Sequence, residues 1–371
     1  HVVEDLELLR PAEHGRDLRV SLDRRLQYLA YRELKAAVAR SGARAGSLVM
    51  LDVHTGEVLA MVNQPAFNPN DTGERSGGIV RNRAVTDVFE PGSTMKALTI
   101  AAALETGRLE PDTRISTAPG KLRVAGHTIS DYRDLGTLDV GGVIRMSSNV
   151  GAARIALSLE PRTLWQTYAR FGVGESTGSG FPGEAGGRLM PARSWGPVEQ
   201  ATMAFGYGVS VTPLQLARAY AAIAADGVLP PVHFRAVPGV SAVADQRRRI
   251  LSADTAGELQ AMLHSVVDSG TGQRAAIAGY SVAGKTGTAH KVSEDGYARH
   301  RYRALFAGFA PASDPRLAAV VVLDEPQGEE YYGGQVAAPV FGGVMAGALR
   351  LLDIRPDVTE GRILARREEG A

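Results

Sequence analysis

The chain reads as an α+β protein in which helices flank a central antiparallel sheet. Strand-like apolar segments stand near both ends of the 371 residues, Ser47–Val53 and Glu57–Val62 early, Ser281–Ala289, Ala304–Pro311 and Leu317–Leu323 late. The links between the late strands are short enough for antiparallel neighbours. The periodic helical segments fall mostly between these two groups, so the strands must meet while the helices cover them.

In order, residues 1–20 are charged, end in the strand-like Asp17-Leu18-Arg19-Val20, and bring no core of their own. They read as the end of a preceding domain. Ser21 is placed to cap a helix whose Leu22, Leu26, Leu29 and Ala30 share one face. His54-Thr55-Gly56 reads as the turn of a hairpin. Ala97–Leu104 is a helix stopped at Thr106-Gly107. Residues 108–200 are mixed and rich in Gly and Pro, and read as a long insertion. Thr212-Pro213 opens a helix that Asp226-Gly227 closes. Further helices are expected over 253–268 and from Ala338 to Leu352, and the tail after Asp357 is polar.

Composition sets limits. With 44% hydrophobic and 22% charged residues this is ordinary globular material, and a net charge of +1 gives no electrostatic case for nucleic acid. Arg247-Arg248-Arg249 and Arg366-Arg367 read as solvated faces. The absence of cysteine excludes disulfides and thiol chemistry. No apolar run approaches the roughly 20 residues of a membrane helix. The chain starts at His1 and reads as a processed or trimmed piece. His1, His14, His54, His127, His233, His264 and His300 lack the spacing of a helical metal pair. No metal or cofactor is expected, and there is neither a G-x-S-x-G elbow nor a Walker A loop.

Ser93-Thr94-Met95-Lys96, Ser147-Ser148-Asn149 and Lys285-Thr286-Gly287-Thr288 follow one another along the chain. Residues three apart share a helix face, about 5–6 Å apart at Cβ. Lys96 can therefore reach the Ser93 hydroxyl and take its proton, provided burial or a neighbouring cation lowers its pKa. The chain holds five lysines against 36 arginines, and two of the five stand in these motifs. Arginine cannot give up its proton near neutrality, so Lys96 fits a base. Lys285 fits an anion holder that stays charged.

These motifs resemble those of β-lactamases and penicillin-binding proteins. Phe89–Lys96, Ser147–Gly151, Tyr207–Pro213, Ala283–Ala289 and Phe306–Pro311 extend the likeness over residues 15–355. It is strongest to the class B penicillin-binding proteins, monofunctional D,D-transpeptidases, and among them to the septal enzymes of Gram-negative bacteria. The resemblance implies the penicillin-binding transpeptidase, or serine β-lactamase-like, fold. It makes 1–20 the remnant of an N-terminal pedestal domain, 21–356 the transpeptidase domain and 357–371 a C-terminal tail.

It further implies that Ser93 attacks the carbonyl between two D-alanines of a peptidoglycan stem peptide, with Lys96 as base. Ser147 relays a proton to the departing D-alanine, and Asn149 holds Lys96 and a substrate amide. Lys285 and Thr286 receive the terminal carboxylate, Ser148 belongs with the substrate-binding positions, and Gly287 leaves room for a ligand backbone against the strand. The N–H groups of Ser93 and Thr288 form the oxyanion hole. An amine acceptor then completes the crosslink, and β-lactams acylate the same serine. Tyr207, Tyr302, Tyr331 and Tyr332 match aromatic positions of the family's cleft, and Tyr132 lies before the Ser147 motif. His290 stands where relatives carry Arg. Glu90 either supports the Ser93 turn or is a first-turn charge.

Partners implied are a septal glycosyltransferase of the membrane and other division proteins. The implied location is the periplasm, on an inner-membrane anchor outside this chain. Three alternatives share the fold: a D,D-carboxypeptidase, a β-lactamase and a β-lactam sensor without turnover. The β-lactamase is disfavoured, because Glu160, Glu175, Glu184, Glu199 and Glu258 all lack the Glu-x-x-Leu-Asn context of class A enzymes.

Overall fold

The computed structural model describes residues 14–71, 73, 77–293 and 296–358, the side chains of 292, 293 and 299 aside. Strands β1 (Ala45–Asp52) and β5 (Leu317–Asp324) are buried on both faces along almost their whole length. Apolar strands without alternation belong inside a sheet covered on both sides. They are joined by β2 (Val58–Gln64), β3 (Ala283–Ser293) and β4 (Gly296–Ala310) in the order β2-β1-β5-β4-β3. Every pairing is antiparallel, with Val49 opposite Val320 and Phe306 between Val321 and Thr286. The expected α+β class, an antiparallel sheet flanked by helices, is therefore what forms.

Side chains of alternate residues divide between two cores. On one face Leu48, Met50, Phe306 and Val321 meet helices α1 (Arg24–Ser41) and, near the C-terminus, Ala338–Leu351. On the other, Val49, Leu305, Phe309 and Val320 share a core with α2 (Lys96–Glu105), α3 (Pro213–Ala224) and α4 (Ala253–Ser269). The C-terminal helix is α5. Helix α2 is buried on every side from Lys96 to Leu104, so it is a core helix rather than an amphipathic one. That places Lys96 at zero exposure.

Several boundaries differ from the sequence reading, each for a local reason. Asp23, not Ser21, caps α1, accepting from the N–H groups of Arg25 and Leu26. Ser21 instead donates its hydroxyl to the Val58 carbonyl and so ties the entering chain to β2. Asp17–Val20 is no strand, since only Val20 forms a bridge, to Arg235. Residues 1–13, most of the expected pedestal remnant, lie outside the described residues, as do 359–371 of the tail. Asp357 is held in place, accepting from Ser281 N–H and from the hydroxyls of Ser281 and Ser313.

The stretch 108–200 carries helices at Val140–Arg145, Asn149–Leu157 and Pro161–Arg170, the last opened by Pro161 as its first residue. The β3–β4 hairpin runs well past the apolar segments 281–289 and 304–311. Its outer part is polar and partly exposed, and so carries no core signal.

Phe341 of α5 is almost fully buried against Phe306, with ring centroids 4.7 Å apart. Phe341→Ala is expected to lower stability by about 3–5 kcal/mol, read as a shifted urea midpoint at unchanged slope.

Candidate active site

The Ser93 turn is built by close backbone packing. Gly92–Met95 is a 3₁₀ turn running directly into α2. Thr94 donates its hydroxyl to Pro91 carbonyl at 2.8 Å, and Tyr220 from α3 donates to Thr94 carbonyl at 3.0 Å. Gly92 has φ +56° and Gly206 φ +87°, and a Cβ on Gly206 would stand 2.2 Å from the Gly92 carbonyl oxygen. Only glycine permits that approach. Gly287 serves the same turn. The space its side chain would take is filled by Leu305 and the Pro91 carbonyl, so it seats the turn on β3 and is not a gap for a ligand.

Lys96 Nζ lies 2.9 Å from Ser93 Oγ, 2.6 Å from the Ser147 carbonyl, 2.8 Å from Asn149 Oδ1 and 3.2 Å from Ser147 Oγ. Burial pushes its pKa well below the ordinary lysine value. The neighbouring Lys285 adds to that, and Asp131 opposes it. A neutral amine fits this set of partners. Its N–H groups can donate to the Ser147 carbonyl and Asn149 Oδ1, with the Ser93 hydroxyl within reach to give up its proton.

Ser147 sits between the helices Val140–Arg145 and Asn149–Leu157 at φ +58°, a left-handed conformation unusual for a side chain other than Gly or Asn. The strain has a visible use: the residue presents its carbonyl to Lys96 and its hydroxyl to Lys285 Nζ at 2.9 Å. Asp131 holds the loop. Its carboxylate accepts from Ser148 Oγ at 2.6 Å and from the N–H groups of Asn149 and Val150 at 2.5 and 3.1 Å. Ser148 is fully buried, and its hydroxyl also accepts from Gly151 N–H. It therefore caps the helix and does not face a ligand, contrary to the substrate-binding place expected for it.

Lys285 Nζ donates to Ser147 Oγ and, at 3.2 Å each, to the carbonyl and hydroxyl of Thr286. Burial lowers its pKa to about 7, so the constant positive charge expected there is not maintained at neutral pH. Thr286 Oγ1 is 3.0 Å from Thr271 Oγ1. Thr288 Oγ1 accepts from Gly333 N–H. Strand β3 is the sheet's edge, with no further strand paired to it among the described residues.

Ser93, Ser147, Asn149, Thr286 and Thr288 open into one cleft of about 620 Å³. Tyr132 and Tyr332 line it from opposite motifs, and Tyr332 continues as a stack through Tyr331 to Tyr302, 4.4 Å per step. His290 packs on Tyr302 and turns Nδ1 to the Ala298 carbonyl. Tyr207 accepts from His290 N–H and meets Tyr297 edge-on. Tyr207, Tyr302, Tyr331 and His290 thus buttress the aromatic wall without lining the cleft itself. Glu90 accepts from Gly208 N–H and from the Tyr297 hydroxyl, and burial raises its pKa. Asp131, Thr271, Arg274 and Gln335 also line the cleft, and the sequence reading missed them. Asp131 was adjacent to a named residue, but its contact with Ser148 spans 17 residues and has no local signature.

Residues 46–346 match the model of the penicillin binding protein transpeptidase domain. The chain belongs to the penicillin-binding protein transpeptidase family. It is 44% identical over 359 residues to the probable peptidoglycan D,D-transpeptidase PenA of Neisseria flavescens, covering 96% of this chain and 88% of that one. It is also 44% identical over 358 residues to the peptidoglycan D,D-transpeptidase FtsI of Escherichia coli K12, spanning 60% of that protein's length. Among solved structures, the apo TP domain of Burkholderia pseudomallei penicillin-binding protein 3 superposes with a TM-score of 0.83 at 44% identity, covering 92% of this chain and 98% of that one.

Two outcomes follow from the lysine pair and its support. The second-order rate of acylation by a penicillin is expected to be bell-shaped in pH. It falls on the acid side, where Lys96 takes up a proton. It falls again above about pH 7, where Lys285 loses the proton it holds against Ser147. Lys285→Arg should remove the alkaline limb while lowering the maximum. Asp131→Ala should slow acylation about 100-fold, because Ser147 and Asn149 lose their alignment with Lys96, and stopped-flow kinetics would measure it.

Proposed function

We propose that the chain is a serine D,D-transpeptidase domain that crosslinks peptidoglycan stem peptides during septal wall synthesis and is a target of β-lactams. The observation that carries this reading is the buried Lys96 amine held between Ser93, Ser147 and Asn149. Ser93 Oγ attacks the carbonyl of the penultimate D-alanine while Lys96 takes its proton. The Ser93 and Thr288 N–H groups hold the resulting oxyanion. Ser147, 2.9 Å from Lys285 Nζ and 3.2 Å from Lys96 Nζ, delivers a proton to the departing D-alanine nitrogen, and the C–N bond breaks to leave an ester on Ser93. An acceptor amine attacks that ester, forms the new amide and returns the serine hydroxyl.

In this reading Lys285, Thr286 and Thr288 hold the donor's terminal carboxylate, with Tyr132 and Tyr332 bounding its path. The names of the relatives favour a transpeptidase over a carboxypeptidase or a sensor. Against a β-lactamase, the carboxylate among the described cleft residues is Asp131, and its oxygens are committed to Ser148, Asn149 and Val150. It is not free to activate water. The same reading assigns 21–356 to the transpeptidase domain, 1–20 to the end of a pedestal and 357–371 to a tail. It sets the domain in the periplasm beside a membrane glycosyltransferase and other division proteins, with its anchor outside this chain. No helix among the described residues is long and apolar enough to cross a membrane.

Intact-protein mass spectrometry after penicillin treatment tests the assignment. The expected result is a lasting adduct of one intact penicillin, absent in Ser93→Ala. Rapid return to the unmodified mass with hydrolysed drug would make the protein a β-lactamase, and no adduct at any time would sink the site.

A further inference from the structure

The cleft's polar lining includes residues that the reaction steps leave unused, Gln273, Arg274 and Gln335. Arg274 lies in the short Gln273–Ala275 turn three residues after Thr271. Thr271 itself touches Thr286 Oγ1 and stands 3.5 Å from Lys285 Nζ. Lys96 and Lys285 are fully buried beneath the cleft, and Arg274 is the one lysine or arginine among the described residues that line it. Its guanidinium donates to Glu330 Oε1 at 2.9 Å and to the Gln335 carbonyl at 3.3 Å. Both side chains of the ion pair are about half exposed, at 53% and 50%.

An ion pair that exposed contributes little to stability and exchanges partners readily. It is a poor structural tie. A guanidinium in a cleft is, however, a permanent forked cation suited to a carboxylate. The cleft needs one. Lys285, the cation nearest the hydroxyl pair, is pushed to about 7 by its burial and is only partly charged at neutral pH.

Resting on the transpeptidase reading above, we propose that Arg274 is a specificity residue for the acyl donor. Its guanidinium draws in and orients the donor's terminal carboxylate at the outer end of the Thr286–Thr271 hydroxyl pair, and Glu330 competes with that carboxylate for it. Glu330 thereby sets the affinity for anionic donors: the resting cleft presents a neutralised pair, and an entering carboxylate must displace it. An acyl donor without a negative end gains nothing from Arg274 and loses nothing to Glu330.

The test uses the whole chain and two probes, a fluorescent penicillin with its free carboxylate and the methyl ester of the same compound. Acylation rates are measured at low and high salt, because attraction between exposed charges is screened. Arg274→Gln is expected to slow reaction with the acid about tenfold at low salt, flatten its salt dependence and leave the ester unchanged. Glu330→Gln should speed the acid about threefold, and the double variant should match Arg274→Gln alone. An Arg274→Gln rate within about twofold of the parent, a loss shared equally by acid and ester, or an unchanged rate in Glu330→Gln each overturns the proposal. If Arg274→Gln does not fold, Glu330→Gln still decides. Ser93→Ala separates the two levels. Labelling that survives it defeats the transpeptidase site itself, whereas labelling that it abolishes, with Arg274→Gln unaffected, defeats only the role of Arg274.

Discussion

The burial of one amine organises this molecule. Lys96 stands at the start of a helix that is enclosed on all sides, and its hydrogen-bond partners among the described residues, Ser93, Ser147 and Asn149, include no carboxylate to offset desolvation. The Asp131 carboxylate favours the charge but is committed to the Ser148 loop, and Lys285 acts the other way. An uncompensated buried ammonium is strongly disfavoured, so burial makes the group easier to deprotonate and fits it for a base. Every other feature of the site either keeps that amine enclosed or directs it at Ser93.

The fold supplies the enclosure. Helix α2 fills the space between the sheet and the helices α3 and α4, and this brings Ser93 to the lip of edge strand β3. Glycines at 92, 206 and 287 let three backbone segments close around the nucleophile. The Ser147 loop comes from a separate part of the chain and is fixed by Asp131 and Ser148. Covalent chemistry therefore rests on one rigid turn and one strained residue, each held by partners distant in sequence.

Much of this was legible beforehand where the signal was local. Residues three apart on a helix must meet, so the Ser93–Lys96 pair could be read directly. The five strands, the helix that Thr212 caps and the helix expected over 253–268 follow from apolar runs and, at Thr212, from a cap. Other parts were not legible, for physical reasons. Asp23 competes with Ser21 for the same cap, and sequence alone does not say which hydroxyl or carboxylate β2 will engage. Helices in 108–200 are short, and Gly141, Gly142 and Gly151 stand inside two of them, which hides their period. The inward turn of Ser148 and the true neighbours of Gly287 depend on tertiary approach. So does the depressed pKa of Lys285, which was read as a constant cation. Asp131 and Arg274 carry no motif at all; only the folded cleft brings them to the reacting groups.

The central claim is that burial holds the pKa of Lys96 well below the ordinary lysine value. With five lysines in the chain, carbon-13 labelling of the lysine side chains and an NMR titration can follow each amine, with Lys96→Met assigning its signal. The account predicts that Lys96 passes from ammonium to free amine well below the ordinary lysine value of about 10.4. A Lys96 signal that stays that of an ammonium up to the ordinary lysine value of about 10.4 would contradict it.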